Sequence, residues 1–135
     1  MPQGIIGPQG VTTVSPPARE KLSKVAQITA ADGSTGFAAF GLPKYAFIAG
    51  VYAISAGANT TQSINVGFTN GGVEIVDSYA PDSTGFAAIG GTDTGASVGT
   101  QLTADKTVYV KASATLTNTV TVIVDYWMPP VGQGY

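Results

Sequence analysis

Apolar and polar residues alternate with a period of two near the end of the chain, the pattern of strands with one buried face. Over residues 107–113, Val108, Val110 and Ala112 alternate with Thr107, Tyr109, Lys111 and Ser113. Over residues 119–128, Val120, Val122, Val124, Tyr126 and Met128 share one face, with Thr119, Thr121, Ile123, Asp125 and Trp127 on the other. The link at 114–118 is short, which predicts that these two strands are antiparallel neighbours. A second hairpin is predicted where Ile64, Val66 and Phe68 lead into Asn70-Gly71 and then Val73, Ile75 and Asp77, because Asn-Gly suits the positive φ angles of a type I′ turn. Residues 45–54 are apolar on both faces, as a strand central in a sandwich or packed on a subunit requires. Weaker β patterns cover 25–29, 37–40, 86–89 and 96–102.

The ends of the chain read differently. Residues 1–17 hold Pro2, Pro8, Pro16 and Pro17 together with Gly4, Gly7 and Gly10, and they show no sustained period, so they read as an extended arm. The glycines fall three apart, but two triplets cannot hold a collagen helix. Residues 15–24 could form a short helical turn, with Ser15 as cap and Pro16-Pro17 at its start. Met128 is followed by Pro129 and Pro130, which lack the strand donor, so residues 129–135 read as a tail resembling the arm in composition. The expected organisation is an arm over 1–24, a β domain over 25–128 and the tail. Within the domain, residues 34–39 (Ser-Thr-Gly-Phe-Ala-Ala) recur as residues 83–88, and Val51-Tyr52 is echoed by Val108-Tyr109. This suggests two related β units packed as the two layers of a sandwich; chance recurrence in a biased composition is the alternative.

Composition removes much chemistry. The 135 residues include no His and no Cys, which excludes a Ser-His-Asp triad, a thiolate nucleophile and a zinc, iron or haem site built on those side chains. It also excludes a disulfide scaffold, so stability rests on burial or on subunits. Charged residues are 10% of the chain, against about 25% in ordinary soluble domains, so much of the surface is expected to be covered. A net charge of −2 with scattered Lys and Arg offers no footprint for nucleic acid. No apolar run is long enough to span a bilayer, and the N-terminus shows neither a basic region nor a signal-length apolar stretch, so no membrane partner and no classical export signal are expected.

Few residues suggest chemistry. Asp93-Thr94-Gly95-Ala96-Ser97 resembles the Asp-Thr-Gly-Ala/Ser loop of aspartic proteases, in which two such loops let two carboxylates share a proton. The context departs from that family, with Gly90-Gly91-Thr92 where an apolar strand should precede the loop. Asp32, Asp77, Asp82, Asp105 and Asp125 stand singly at expected turns or strand ends, where an Asp commonly bonds the backbone; Asp77 and Asp125 could instead pair with Lys or guard an edge. Asn59-Thr60-Thr61 fits a glycosylation sequon but reads as a turn. No catalytic residue, cofactor or metal ligand is assigned.

A small β domain rich in Ala, Gly and Thr, closing on Thr-Val-Thr-Val-Ile-Val-Asp-Tyr-Trp-Met, resembles the small capsid decoration (cement) proteins of tailed bacteriophages. The motif covers residues 100–128, the composition residues 25–128. The resemblance implies an all-β antiparallel sandwich, jelly-roll or Ig-like, with an N-terminal arm and a short C-terminal tail. It implies a non-enzymatic homotrimer on the capsid exterior, made in the host cytoplasm, that bridges capsomers of the major capsid protein and stabilises them. Arms draped over neighbours would add affinity through multivalency. The partner contacts expected on this reading are Ile5, Ile6, Val11 and Val14 of the arm, with Trp127 and Tyr135. A phage head fibre, tail or receptor-binding module is the main alternative, and a freestanding carbohydrate-binding domain and a protease using Asp93 are more remote.

Overall fold

The computed structural model describes residues 20–30 and 34–129, of which Glu20 is placed by its backbone. Eight antiparallel strands among these residues make two sheets: β1 (Glu20–Ile28), β2 (Phe37–Leu42), β3 (Phe47–Ser55), β4 (Ile64–Gly67), β5 (Val76–Tyr79), β6 (Gly85–Ile89), β7 (Lys106–Ala112) and β8 (Val120–Met128). The first sheet has the order β1-β8-β3-β6 and the second β2-β7-β4-β5. The pairs are nested, β4 with β5, β3 with β6, β2 with β7 and β1 with β8. The chain is therefore one long hairpin, rolled up and closed by the β3–β8 and β4–β7 contacts. This is the eight-stranded jelly roll, one of the two sandwiches the sequence allows.

The core lies between the sheets and is built by the predicted alternation. Val108, Val110 and Ala112 of β7 and Val120, Val122, Val124 and Tyr126 of β8 are buried, as are Ile28, Ile48, Ile64 and Val66. Each fully buried Val or Ile contributes about 1.5–3 kcal/mol of transfer free energy.

Several expectations are corrected. β1 covers Glu20–Ile28, so residues 20–24 are strand and not a helical turn, while residues 15–19 of that expected turn lie outside the described residues. Pairing explains this: Glu20 to Lys24 lie in register with Met128 to Val124, and a long partner strand overrides weak helix propensity. β7 and β8 are not neighbours but lie in different sheets. Their link crosses the end of the sandwich, with Leu116 buried beneath it and Asn59 holding its backbone. The Asn70-Gly71 turn sits at the centre of the roll but is not type I′. Thr69 accepts the amide of Gly72 at 2.8 Å and only Gly71 of the central pair has positive φ (86°), which is the type II requirement. Residues 96–102 are not a strand but a turn at 96–99 followed by a bend and a lone bridge from Gln101 to Phe47, and their backbone ties to Glu74, Ile48 and Ala46.

The echo has a structural counterpart, though not as two layers. Each half of the chain supplies two strands to each sheet. Advancing every strand number by four converts the first sheet into the second read backwards, so β2 corresponds to β6 and β3 to β7. Those are the strands that carry the two repeated motifs. Gly36 (φ 73°) and Gly85 (φ 106°) both adopt the left-handed conformation where the motif enters its strand. The two phenylalanines differ: Phe37 packs against the core, whereas Phe86 is exposed.

Candidate interaction surface

The register of the first sheet assembles an apolar band on its outer face. Val25 of β1 lies beside Ile123 of β8, Ile123 beside Tyr52 of β3, and Tyr52 beside Ala88 of β6, with Ile54 and Phe86 paired two residues further along β3. Their chain neighbours Ala26, Val122, Val124, Val51, Ala53 and Ile89 are buried, so strand alternation turns this band outward. Val25 is 58%, Ile54 41% and Phe86 66% exposed. The rings of Tyr52 and Phe86 stack with centroids 5.5 Å apart. The outer face of the second sheet has a different character, presenting Thr107, Tyr109 and Lys111 of β7, Asn65 of β4 and Asp77 of β5. Exposed apolar side chains lined up across four strands mark a candidate interaction surface.

At one end of the same face the band gives way to an aromatic cleft of about 280 Å³, lined by Tyr45, Phe47, Gln101, Trp127 and Pro129. Phe47 and Trp127 are cross-strand partners, and Phe47 bridges to Gln101 on its other side. Tyr45 has a positive φ of 74°, a costly conformation for a bulky residue. Its backbone is held from both sides, its amide donating to Leu102 O at 3.0 Å and its carbonyl accepting from Gln101 Nε2 at 3.1 Å. Two ammonium groups stand over rings here, Lys44 over Tyr45 at 4.9 Å and Lys21 over Trp127 at 5.9 Å. Lys21 also pairs with Asp125 at 3.4 Å, and Asp125, nearly buried, accepts the Ser23 hydroxyl at 2.6 Å. Asp125 thus pairs with Lys, as one reading allowed, and lies on an interior strand, not an edge.

Of the expected contact residues, the structure places Trp127 in this cleft, half-buried. Ile5, Ile6, Val11, Val14 and Tyr135 lie outside the described residues, as does Asp32. No pattern along the chain pointed to Trp127 meeting Tyr45 and Phe47, or to Val25, Ile123, Tyr52 and Phe86 forming one band. The available signal was weak, a set of apolar residues on the face of each strand opposite to the regular valines.

Asp93 ends a short 3-10 turn (Gly91–Asp93) on the surface. The glycine after it has a packing role, for a Cβ at Gly95 would strike the backbone of Val73 and Glu74, and its amide donates to Ile75 O at 2.9 Å. We expect Gly95→Ala to cost about 2 kcal/mol through that clash, and Asp93→Ala to change stability by less than about 0.5 kcal/mol, both read by thermal denaturation. Burial, then Asp82 and Asp93 beside it, raise the pKa of the Tyr79 hydroxyl above its ordinary value. Asp105 accepts the Lys44 amide at 2.8 Å, the backbone role expected of a turn aspartate. Asn59 of the sequon is fully buried, and its amide nitrogen donates to Asn118 O at 3.2 Å, so the folded domain presents no nitrogen there for a glycan. Among the described residues, no group of three His, Cys, Asp or Glu could hold a metal ion, and no helix is long and apolar enough to cross a membrane.

These features define a jelly-roll domain with an apolar band across the outer face of its first sheet and an aromatic cleft at the end of that face. No protein-family model and no curated protein matches the chain. Solved structures share its fold. A chain of the cyanophage Pam1 capsid asymmetric unit is similar with a TM-score of 0.55 and 19% identity, over 91% of this chain and 95% of that one. A chain of the acidic stable capsid structure of Helicobacter pylori bacteriophage KHP30 is similar with a TM-score of 0.54 and 21% identity, over 83% and 94%. At these identities the likeness is one of fold.

Proposed function

We propose that this chain is a non-enzymatic structural protein of a bacteriophage virion that decorates the exterior of the capsid and stabilises it by bridging neighbouring capsomers. The observation that carries the reading is an apolar band that crosses all four strands of the first sheet, from Val25 through Ile123 and Tyr52 to Ala88 and Phe86. A domain seated on a lattice needs one face for the lattice and one for water. The fold supports the same reading, since the two chains named above come from phage capsids and are matched over nearly their full lengths. Stabilisation would follow from mass action, because a bridging protein binds the assembled shell and not its separated parts. We assign it a homotrimeric state, seated on the major capsid protein with the first sheet inward.

Sedimentation of an infected-cell lysate, followed by quantitative mass spectrometry of each fraction, tests this. The expected result is a copy number per particle comparable with that of the major capsid protein. A handful of copies would instead point to a tail or head fibre, and absence from particles would overturn the virion reading.

A further inference from the structure

We propose that the cleft formed by Tyr45, Phe47, Gln101, Trp127 and Pro129 receives the proline-rich N-terminal arm, residues 2–17, of a neighbouring copy of this chain. The inference deepens the capsid reading, which supplies the setting of copies side by side, but its test does not depend on particles.

The cleft selects an extended occupant. Its volume of about 280 Å³ is far too small for a helix, which is about 10 Å across, and suits a few residues of extended chain. Aromatic walls from three residues are the surface on which proline rings pack, as in the grooves that bind polyproline II segments. Residues 2–17 contain four prolines and no charged side chain, so burying them would desolvate no ion. A polyproline II chain leaves its carbonyls unpaired, and Lys21 and Lys44 stand at the cleft as ammonium donors for them. Tyr45 is kept in its costly left-handed conformation by two hydrogen bonds, which presents its ring as a preformed wall.

The path of the chain favours a neighbour over self-docking. β1 begins at Glu20, in register with Met128, so the arm leaves the sheet at the end where the cleft lies. Between that exit and the aromatic wall stands Lys21, over the Trp127 ring and paired with Asp125. To enter its own cleft the arm would have to turn back past Lys21 between its exit and Pro8, and Pro16-Pro17 resists a tight reversal near that exit. Reach suits the adjacent copy. The twelve residues from Pro8 to Glu20 span about 37 Å at the polyproline rise, close to the diameter of about 35 Å expected for a domain of this length.

The chain has no cysteine and a single tryptophan, which makes the test clean. Full-length Pro8→Cys and Gln101→Cys variants are mixed and treated with a short bismaleimide. A cross-linked heterodimer is expected, and it should be lost when Lys111→Cys, on the opposite face, replaces Gln101→Cys. A cross-link formed only within one chain, in the double variant, would show self-docking and overturn the proposal, as would no cross-link at all. A second reading needs no cysteine: Trp127 emission of the natural chain should shift to the blue as chain concentration rises, and deletion of residues 2–17 should abolish that shift. Emission independent of concentration would also overturn the proposal. If the chain proved absent from particles, the capsid reading would fail while this cross-link could still form.

Discussion

Replacing Phe86 by Asp is expected to remove the protein from capsids while leaving the domain folded. Phe86 is 66% exposed at the rim of the apolar band, so its ring does little for the core. The loss within the domain is its stacking on Tyr52, worth about 0.5–1 kcal/mol, or roughly 2–4 °C in melting temperature. In an interface the same ring would be buried against a partner, and a charge placed there would be desolvated without one. An anchor of this type is worth at least about 2 kcal/mol, so co-sedimentation with stripped capsids should weaken by roughly thirtyfold or more. Val25→Asp, at the other end of the band, should act in the same way, and Tyr109→Asp on the polar sheet should not. Undiminished binding by both Phe86→Asp and Val25→Asp would rule out the first sheet as the lattice face.

Asn59→Ala should produce the largest loss of stability of any single polar substitution in the domain, about 3 kcal/mol, with a melting temperature lower by about 10 °C. The side chain is fully buried. Its Oδ1 accepts the amides of Thr117 at 2.9 Å and Asn118 at 2.8 Å, and its Nδ2 donates to Asn118 O at 3.2 Å and Gly57 O at 3.4 Å. Alanine would strand those backbone groups where the β7–β8 link crosses from one sheet to the other. Thr61→Ala destroys the same sequon but alters an exposed residue, and it should leave the melting temperature unchanged, so the pair separates a packing role from a glycan. A melting curve for Asn59→Ala within a degree or two of the parent would refute the assignment.

Local patterns were legible where neighbours in sequence carry the information. The alternation in β7 and β8 names the buried valines correctly, because a strand of period two has one face inward whatever its partner. The turn at Asn70-Gly71 was legible as a position but not as a type, since the backbone conformation depends on how β4 and β5 are set. The link at 114–118 misled because its length fits either a hairpin or a crossover. The choice rests on Leu116 and Asn59, whose partners lie about sixty residues away in sequence for the latter.

The sequence by itself determined the β class, the buried faces of the strongest strands and the lack of histidine and cysteine side chains. Those properties depend on residue type and on spacing within one segment. Tertiary structure alone decided the nesting of the strands, the start of β1 at Glu20 and the joining of Val25, Ile123, Tyr52, Ile54 and Phe86 into one surface. It also decided that Trp127 meets Phe47 and Tyr45. Each of these is a relation between segments distant in the chain, and the register of the ladder that sets such a relation exists only once the sheet has formed.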